Sequence, residues 1–143
     1  MTVQAILGQK GRQVVTMGPK QTLREVCETL ALHKIGAVVL IDAHGGIVGI
    51  VSERDVVRAL AAEGGKGLDE PVEAYMSAKV VTCTESETTD QVLGRMTNGR
   101  FRHMPVVRGD RLIGLISIGD VVARRIALAE QEAAQMRAYI ATA

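Results

Sequence analysis

Aromatic side chains are scarce in this sequence: among 143 residues there are one Phe, two Tyr and no Trp. Proteins that bind single-stranded nucleic acid stack the bases on aromatic side chains, and this composition offers almost none. The net charge is +1, from 17 Lys and Arg against 16 Asp and Glu, so no strong field attracts DNA, RNA or an anionic membrane. We therefore expect neither a nucleic-acid partner nor a membrane partner.

Cysteine is also rare, since Cys27 and Cys83 lie far apart and neither belongs to a CxxC pair. This excludes a disulfide scaffold and a cysteine-rich zinc site, so we expect reduced thiols, no metal site and a cytoplasmic protein. The longest apolar run covers only residues 35–41, whereas about 20 residues are needed to span a bilayer. The first residues carry no basic region before a long apolar stretch, so no signal peptide is expected.

The chain contains an internal repeat. Shifted by 66 positions, residues 14–16 (Val-Val-Thr) fall on residues 80–82 (Val-Val-Thr), and shifted by 65, Asp55 falls on Asp120. Matches at constant spacing indicate a duplicated structural unit. We expect two repeats, residues 1–67 with an N-terminal lead segment and residues 68–143 with a long C-terminal helix.

Each repeat predicts the order β-α-β-β-α. A short extended piece leads to a helix that begins at Thr22 or Thr88, each the first residue of a capping box, and after two apolar strands a second helix begins at Ser52 or Ser117. Units of this size are marginal alone, so the expected fold is α+β, with both repeats packed by pseudo-two-fold symmetry into one module. The extended pieces are residues 13–16 and 79–82, and the strands are residues 37–41, 47–51, 104–107 and 112–116, with a two-residue hairpin loop at Gly109-Asp110.

The end of each repeat, residues 49–57 and 114–122, has the pattern G-h-h-S-x-x-D-h-h, where h is apolar. In a duplicated β-α-β-β-α unit this pattern resembles the cystathionine-β-synthase (CBS) domain pair, or Bateman module, over about residues 13–125. The resemblance implies a stand-alone regulatory module that binds an adenine nucleotide between its repeats, signals to an unknown protein and catalyses nothing. AMP is the first expectation, with ATP, ADP, NAD(H) and S-adenosylmethionine as alternatives.

The residue chemistry itself favours such a site. A serine at a helix N-terminus presents its hydroxyl beside free N–H groups that attract anions, and a carboxylate three residues later can accept hydrogen bonds from a ribose diol. The resemblance assigns Asp55 and Asp120 to ribose hydroxyls, and Ser52 and Ser117 to ribose or phosphate. It also implies that the adenine is surrounded by Val15, Thr16, Gly36, Ala37, Val38, Val81, Thr82, His103, Met104 and Pro105.

The repeats differ where a phosphate would bind. Arg102 and His103 match positions at which members of the family place phosphate-binding basic residues, and a guanidinium suits phosphate through its fork of donors. Gly119 permits a ligand to approach the backbone closely, whereas Arg54 at the corresponding position would close that side or bind phosphate itself. We therefore predict two unequal sites.

Three alternatives remain open at the level of sequence. Ser-x-x-Asp is also a capping box, in which the aspartate serves the helix instead of a ribose. The chain could be a ligand-free dimeric interaction module. It could be an enzyme, although its candidate residues form no recognisable nucleophile–base pair: His33, His44, His103, Cys27 and Cys83.

Apolar residues recur at alternating spacings of four and three near the C-terminus, which predicts an amphipathic helix. Its apolar stripe is explained either by packing on the core of its own chain or by a homodimer, and we favour the homodimer. A helix at residues 3–7 is expected to dock on the same surface. The stripe consists of Val122, Ile126, Ala129, Ala133, Met136 and Ile140.

Overall fold

The computed structural model describes residues 1–142 as an α+β protein with five α-helices, two 3₁₀ helices and two small sheets. The first sheet has the order β1-β2-β3, with β1 parallel to β2 and β2 antiparallel to β3, and the second sheet is the antiparallel pair β4-β5. The elements in chain order are α1 (Val3–Lys10), β1 (Thr16–Met17), α2 (Leu23–His33), β2 (Ala37–Ile41), β3 (Ile47–Ser52), α3 (Glu53–Glu63), the 3₁₀ helices Gly64–Asp69 and Val72–Ala74, α4 (Thr89–Gly99), β4 (His103–Arg108), β5 (Arg111–Ser117) and α5 (Ile118–Thr142).

The first long helix of each repeat begins and ends in the same way. The hydroxyls of Thr22 and Thr88 each accept the backbone N–H three residues later, at 3.2 Å in both cases, which confirms the predicted helix starts. Both helices end on a residue with left-handed backbone, Lys34 (φ 53°) and Arg100 (φ 58°), 66 positions apart. Sequence duplication is thus matched by duplicated backbone geometry.

The extended piece at the start of each repeat is shorter than expected. In the first repeat it pairs with the sheet only at β1, through Thr16 and Met17. In the second repeat the corresponding pairing is a single bridge between Cys83 and Val106. Of the predicted extended pieces, residues 13–16 and 79–82, only Thr16 therefore lies in a strand.

The lead segment of each repeat packs on the other repeat. The N–H of Val3 donates to the carbonyl of Glu87 at 2.9 Å, and the N–H of Val72 donates to the carbonyl of Gln21 at 2.7 Å. Gln21 and Glu87 are 66 positions apart, so these two bonds are related by the duplication. This reciprocal exchange confirms the pseudo-two-fold arrangement of the repeats.

Two hydrophobic cores follow from this exchange. The core of the first repeat includes Val72, which lies beyond the predicted division at residues 67 and 68, and the core of the second includes Val3, Ile6 and Leu7 of α1. α1 packs against β5 and α5, and its apolar side chains share a core with Val121 at the start of α5, whereas docking of α1 on the exposed stripe itself stays a prediction. The division of the chain into residues 1–67 and 68–143 stays a prediction.

Most of α5 extends away from the core. Val121 is fully buried, whereas Val122, Ile126, Met136 and Ile140 are 45–66% exposed. Packing on the core of the same chain is therefore the wrong explanation for the apolar stripe. None of the helices described within residues 1–142 is both long and apolar enough to cross a membrane.

Candidate ligand-binding site

A cavity of about 600 Å³ lies between the two repeats, within the range of small-molecule sites. The first repeat contributes Gly36 just before β2, the end of β3 and the N-terminus of α3. The second repeat contributes its lead segment, the turn between α4 and β4 and the N-terminus of α5. Nine of the residues predicted from sequence line this cavity: Gly36, Ser52, Arg54, Asp55, Val81, Arg102, His103, Ser117 and Gly119.

The other predicted residues lie elsewhere. Ala37, Val38 and Met104 are at most 1% exposed and belong to the interior of the strands, and Pro105 is buried beside them. Thr16 lines a second, more open cavity of about 570 Å³ near the hairpin loops. A ligand contact stays a prediction for these residues and for three that do not line the main cavity: Val15, Thr82 and Asp120.

Both Ser-x-x-Asp motifs form caps. Oδ2 of Asp55 accepts the backbone N–H of Ser52 at 2.8 Å and its hydroxyl at 3.2 Å. Oδ2 of Asp120 accepts the N–H of Ser117 at 2.8 Å, and the Ser117 hydroxyl accepts the N–H of Asp120 at 3.1 Å. The cap therefore uses one carboxylate oxygen of each aspartate.

The second oxygen of Asp55, Oδ1, accepts no hydrogen bond among the described residues, and Asp55 lines the cavity. Among the described residues its nearest charged partner is Arg58, whose Nη1 lies 3.9 Å from Oδ1, beyond hydrogen-bond distance. Capping and ribose binding thus do not compete for the same atom at Asp55. The carboxylate can stabilise the start of α3 through Oδ2 and accept a hydroxyl through Oδ1.

The cavity lining is rich in basic side chains. Five of them surround the space, against two carboxylates, those of Glu53 and Asp55. Within residues 1–142, only Arg58 among the five forms an ion pair, so the others have positive charge to offer an anion. The five are Arg54, Arg58, Lys79, Arg100 and Arg102.

Sequence reasoning did not assign ten of the 19 lining residues to the site, and four of these ten offer a charge or an aromatic ring to a ligand: Arg58, Lys79, Arg100 and Phe101. Arg58 lies one helical turn after Asp55, and Lys79 stands just before the extended residues of the second repeat. Arg100 and Phe101 directly precede Arg102, which was predicted. Their position beside a predicted residue is the feature of the sequence that could have identified them. Phe101, the one Phe of the chain, is half-buried on the wall and offers an aromatic ring to a base.

Gly36 of the first repeat faces His103 of the second. A Cβ atom at Gly36 would lie 3.1 Å from Nε2 of His103, so a glycine allows the two repeats to approach each other at this point. Burial, reinforced by the nearby charge of Lys10, lowers the pKa of His103. The imidazole is therefore neutral near pH 7 and can accept as well as donate a hydrogen bond.

The second motif has a different environment, because the N-terminal helix reaches it. Nζ of Lys10 lies 2.6 Å from Oδ2 of Asp120 and 2.6 Å from the carbonyl oxygen of Leu115. In the first repeat the corresponding carbonyl, that of Ile50, accepts the backbone N–H of Ser77. Burial raises the pKa of Asp120, but the Lys10 ammonium and the Ser117 hydrogen bonds outweigh it and hold that pKa below its usual value.

Of the five candidate catalytic residues, His103 lines the cavity and the other four do not. Cys83 belongs to the core of the second repeat, and burial raises its pKa to about 12. Burial also raises the pKa of Cys27 on α2, and His33 and His44 are exposed. Within residues 1–142, no group of three or more His, Cys, Asp or Glu side chains is placed to hold a metal ion.

A duplicated β-α-β-β-α unit, exchanged lead segments and a basic cavity between the copies define a module of two paired repeats. The CBS domain model matches residues 11–62 and 72–126, and the chain belongs to the CBS domain family. The resemblance drawn from the two Ser-x-x-Asp motifs is thereby confirmed.

Solved structures of CBS domain proteins have a fold similar to that of this chain. A CBS-domain containing protein from Agrobacterium tumefaciens is 50% identical, with a TM-score of 0.85 over 87% of this chain and 92% of that chain. A CBS domain protein from Pyrobaculum aerophilum complexed with AMP is 28% identical, with a TM-score of 0.79 over 91% and 97%. The CBS domain pair of protein MJ0100, in complex with 5′-methylthioadenosine and S-adenosyl-L-methionine, is 26% identical, with a TM-score of 0.78 over 89% and 96%.

Two of the curated relatives are longer than this chain. It is 34% identical over 110 residues to an uncharacterized protein of Acidianus ambivalens and 29% identical over 123 residues to a mitochondrial CBS domain-containing protein of Arabidopsis thaliana. The chain spans 65% and 60% of their respective lengths.

Proposed function

We propose that this chain is a regulatory module, not an enzyme, and that it binds an adenine nucleotide, AMP first, in the cavity between its repeats. One observation carries the proposal: Asp55, whose Oδ1 accepts no hydrogen bond among the described residues, and a group of basic side chains line the same cavity of about 600 Å³. A carboxylate suits a ribose diol, and the basic side chains suit a phosphate. The AMP complex of the Pyrobaculum aerophilum protein supports this choice of ligand.

The charge of the lining favours a phosphate-bearing ligand over S-adenosylmethionine. Five basic side chains surround the cavity against two carboxylates, and S-adenosylmethionine brings a sulfonium cation into that field. ATP, ADP and NAD(H) share the adenosine and phosphate groups of AMP and are the alternatives that the same chemistry permits. A ligand-free interaction module is the alternative if no adenylate binds.

A ligand in this cavity would touch both repeats at once. Asp55 belongs to the first repeat and Arg102 to the second, so binding would favour one relative arrangement of the repeats and the surface shown to a regulated protein. The shift can be no larger than the difference in ligand affinity between the two arrangements. We also propose that the regulator is a homodimer, because large apolar side chains on α5 are exposed in the single chain.

The test is a thermal-shift titration with AMP, ATP, NAD⁺, NADH and S-adenosylmethionine on the wild type, Asp55→Asn and Asp120→Asn. A ligand at 100 times its Kd adds about 2.7 kcal/mol to the free energy of unfolding, which raises Tm by several degrees. The cap of α3 is expected to persist in Asp55→Asn, since the amide oxygen can still accept the Ser52 N–H. We expect Asp55→Asn to weaken AMP binding about ten-fold or more, and Asp120→Asn to leave it unchanged. If no adenylate shifts Tm, the nucleotide proposal is wrong.

A further inference from the structure

The apolar stripe of α5 has the spacing of a coiled-coil seam. From Val122 to Ile140 the alternation of four and three is unbroken, a length of about 27 Å at 1.5 Å per residue. Such a stripe is apolar at the positions that face a partner helix and leaves the neighbouring positions to charged residues. All six of its side chains are exposed: Val122, Ile126, Ala129, Ala133, Met136 and Ile140.

Four charged residues flank this seam, and none of them is paired along its own helix. Arg125, Glu130, Glu132 and Arg137 have no opposite charge three or four positions away, which is the spacing that stabilises a single helix. Within residues 1–142, Arg125 pairs with Asp90 at 2.9 Å, and the other three form no ion pair. The charge pattern is therefore not explained by the helix in isolation.

The pattern fits a second copy of the same helix running in parallel. In a parallel coiled coil, the residue just before a seam position faces the residue five positions later on the other helix. Arg125 of one copy then faces Glu130 of the other, and Glu132 faces Arg137. The two-fold axis of the parallel dimer duplicates each contact, so the dimer has four attractive pairs, each between an arginine and a glutamate.

An antiparallel pair with the same seam is disfavoured by charge. Ile126 would then face Met136 of the second copy, and the middle of the seam would bring Glu130 against Glu130 and Glu132 against Glu132. Like charges placed opposite each other destabilise the pairing. The flanking charges therefore select the parallel orientation, as such positions do in coiled coils.

We propose that two copies of this chain pair in parallel along the seam of α5, with both repeat bodies at the same end of the paired helices. This inference rests on the homodimer proposed above and adds its contact face, orientation and register. It also predicts that the two nucleotide cavities of the dimer lie side by side, at the N-terminal ends of the paired helices.

Charge reversal tests the register by sedimentation equilibrium of the full chain. Glu132→Arg sets like charges against Arg137 of the second copy, and Arg137→Glu sets like charges against Glu132, so each single variant is expected to weaken the dimer about ten-fold. The double variant exchanges the two charges and is expected to recover wild-type dimer affinity. Circular dichroism on every variant checks that helix content is unchanged.

Oxidative cross-linking tests the orientation. Residue 136 faces residue 136 in the parallel pair and Ile126 in the antiparallel pair, so Met136→Cys is expected to form a disulfide-linked dimer, with wild type as the control for Cys27 and Cys83. A wild-type monomer at every concentration would overturn both the homodimer and this inference. A dimer that Glu132→Arg leaves intact, that the double variant does not restore, or that Met136→Cys does not cross-link would overturn the parallel pairing alone.

Discussion

Lys10 and Asp120, 110 positions apart in the sequence, form an ion pair in which Nζ of the lysine lies 2.6 Å from Oδ2 of the aspartate. Asp120 is the duplicate of Asp55, which lines the cavity. The lysine ammonium contacts the oxygen of Asp120 that also caps α5, whereas among the described residues no charged side chain contacts the corresponding capping oxygen of Asp55. This contact makes the two motifs unequal even though their sequences are alike.

Removing this lysine is expected to free the Asp120 carboxylate from its ion pair and so to permit a second ligand beside it. Lys10→Met should raise the stoichiometry of AMP binding from one to two per chain, measured by isothermal titration calorimetry, while the free energy of unfolding falls by at most about 1 kcal/mol because the pair is partly exposed. Lys20→Met is the matched control, since Lys20 forms an equally short pair with Glu73 away from either motif. A stoichiometry that stays at one in Lys10→Met would contradict this role for the lysine.

Lys34 and Arg100, the two non-glycine residues with left-handed backbone among those described, allow a matched test of whether the basic side chains of the cavity bind the ligand. Lys34→Gly and Arg100→Gly both remove a side chain from a backbone with positive φ, so each is expected to raise the free energy of unfolding by up to about 1 kcal/mol. Only Arg100 lines the cavity, so only Arg100→Gly should weaken AMP binding, by about ten-fold. Equal AMP affinity in the two variants would mean that Arg100 does not contact the ligand.

The pKa of His103 predicts a pH dependence of stability. Because burial lowers this pKa in the folded state, the unfolded chain takes up the proton first as the pH falls below about 6.5. Stability is therefore lost between pH 6.5 and the lower folded pKa, with a slope of at most about 1.4 kcal/mol per pH unit.

The measurement for His103 is urea unfolding at several pH values between neutral and mildly acidic. His103→Gln should show a smaller loss of stability on acidification than wild type. His33→Gln, at an exposed position, should follow the wild-type curve. Identical curves for His103→Gln and wild type would show that His103 is not the group responsible.

Leu7 tests the exchange of lead segments between the repeats. It is 1% exposed and packs over Gly114, where a Cβ atom would lie 2.7 Å from Cδ2 of the leucine. Leu7→Ala is expected to lower the free energy of unfolding by about 2–5 kcal/mol, measured by urea denaturation. Leu32→Ala, at a position 78% exposed, should change it by no more than about 0.5 kcal/mol. Equal effects would mean that α1 does not complete the second core.

Much of the fold was predictable because its signals are local. The capping boxes at Thr22 and Thr88 marked the starts of α2 and α4, and apolar runs flanked by turn residues marked β2 to β5. The loop at Gly109-Asp110 was predicted from its glycine, whose φ is 61°. The bounds of β1, Thr16–Met17, were not predicted, because strand pairing depends on a neighbour that is distant in the sequence.

The candidate site was predictable only in part. The Ser-x-x-Asp motifs led to Ser52 and Asp55, which line the cavity, whereas Arg58 and Lys79 carry no motif and were placed there by packing. Sequence reasoning also assigned Ala37 and Val38 to the ligand, yet both are buried within their strand. Which face of a strand meets a cavity depends on how the two repeats pack.

By itself, the sequence determined the duplication, the order of elements within each repeat and the family, because these follow from periodicity and from motifs at short spacing. Only the tertiary structure decided that Asp55 opens on a cavity while Asp120 is held by Lys10. The two aspartates have equivalent local sequences, and what separates them is a side chain carried to one of them by a distant helix. Such a contact depends on the packing of α1 against the second repeat, which no local pattern encodes.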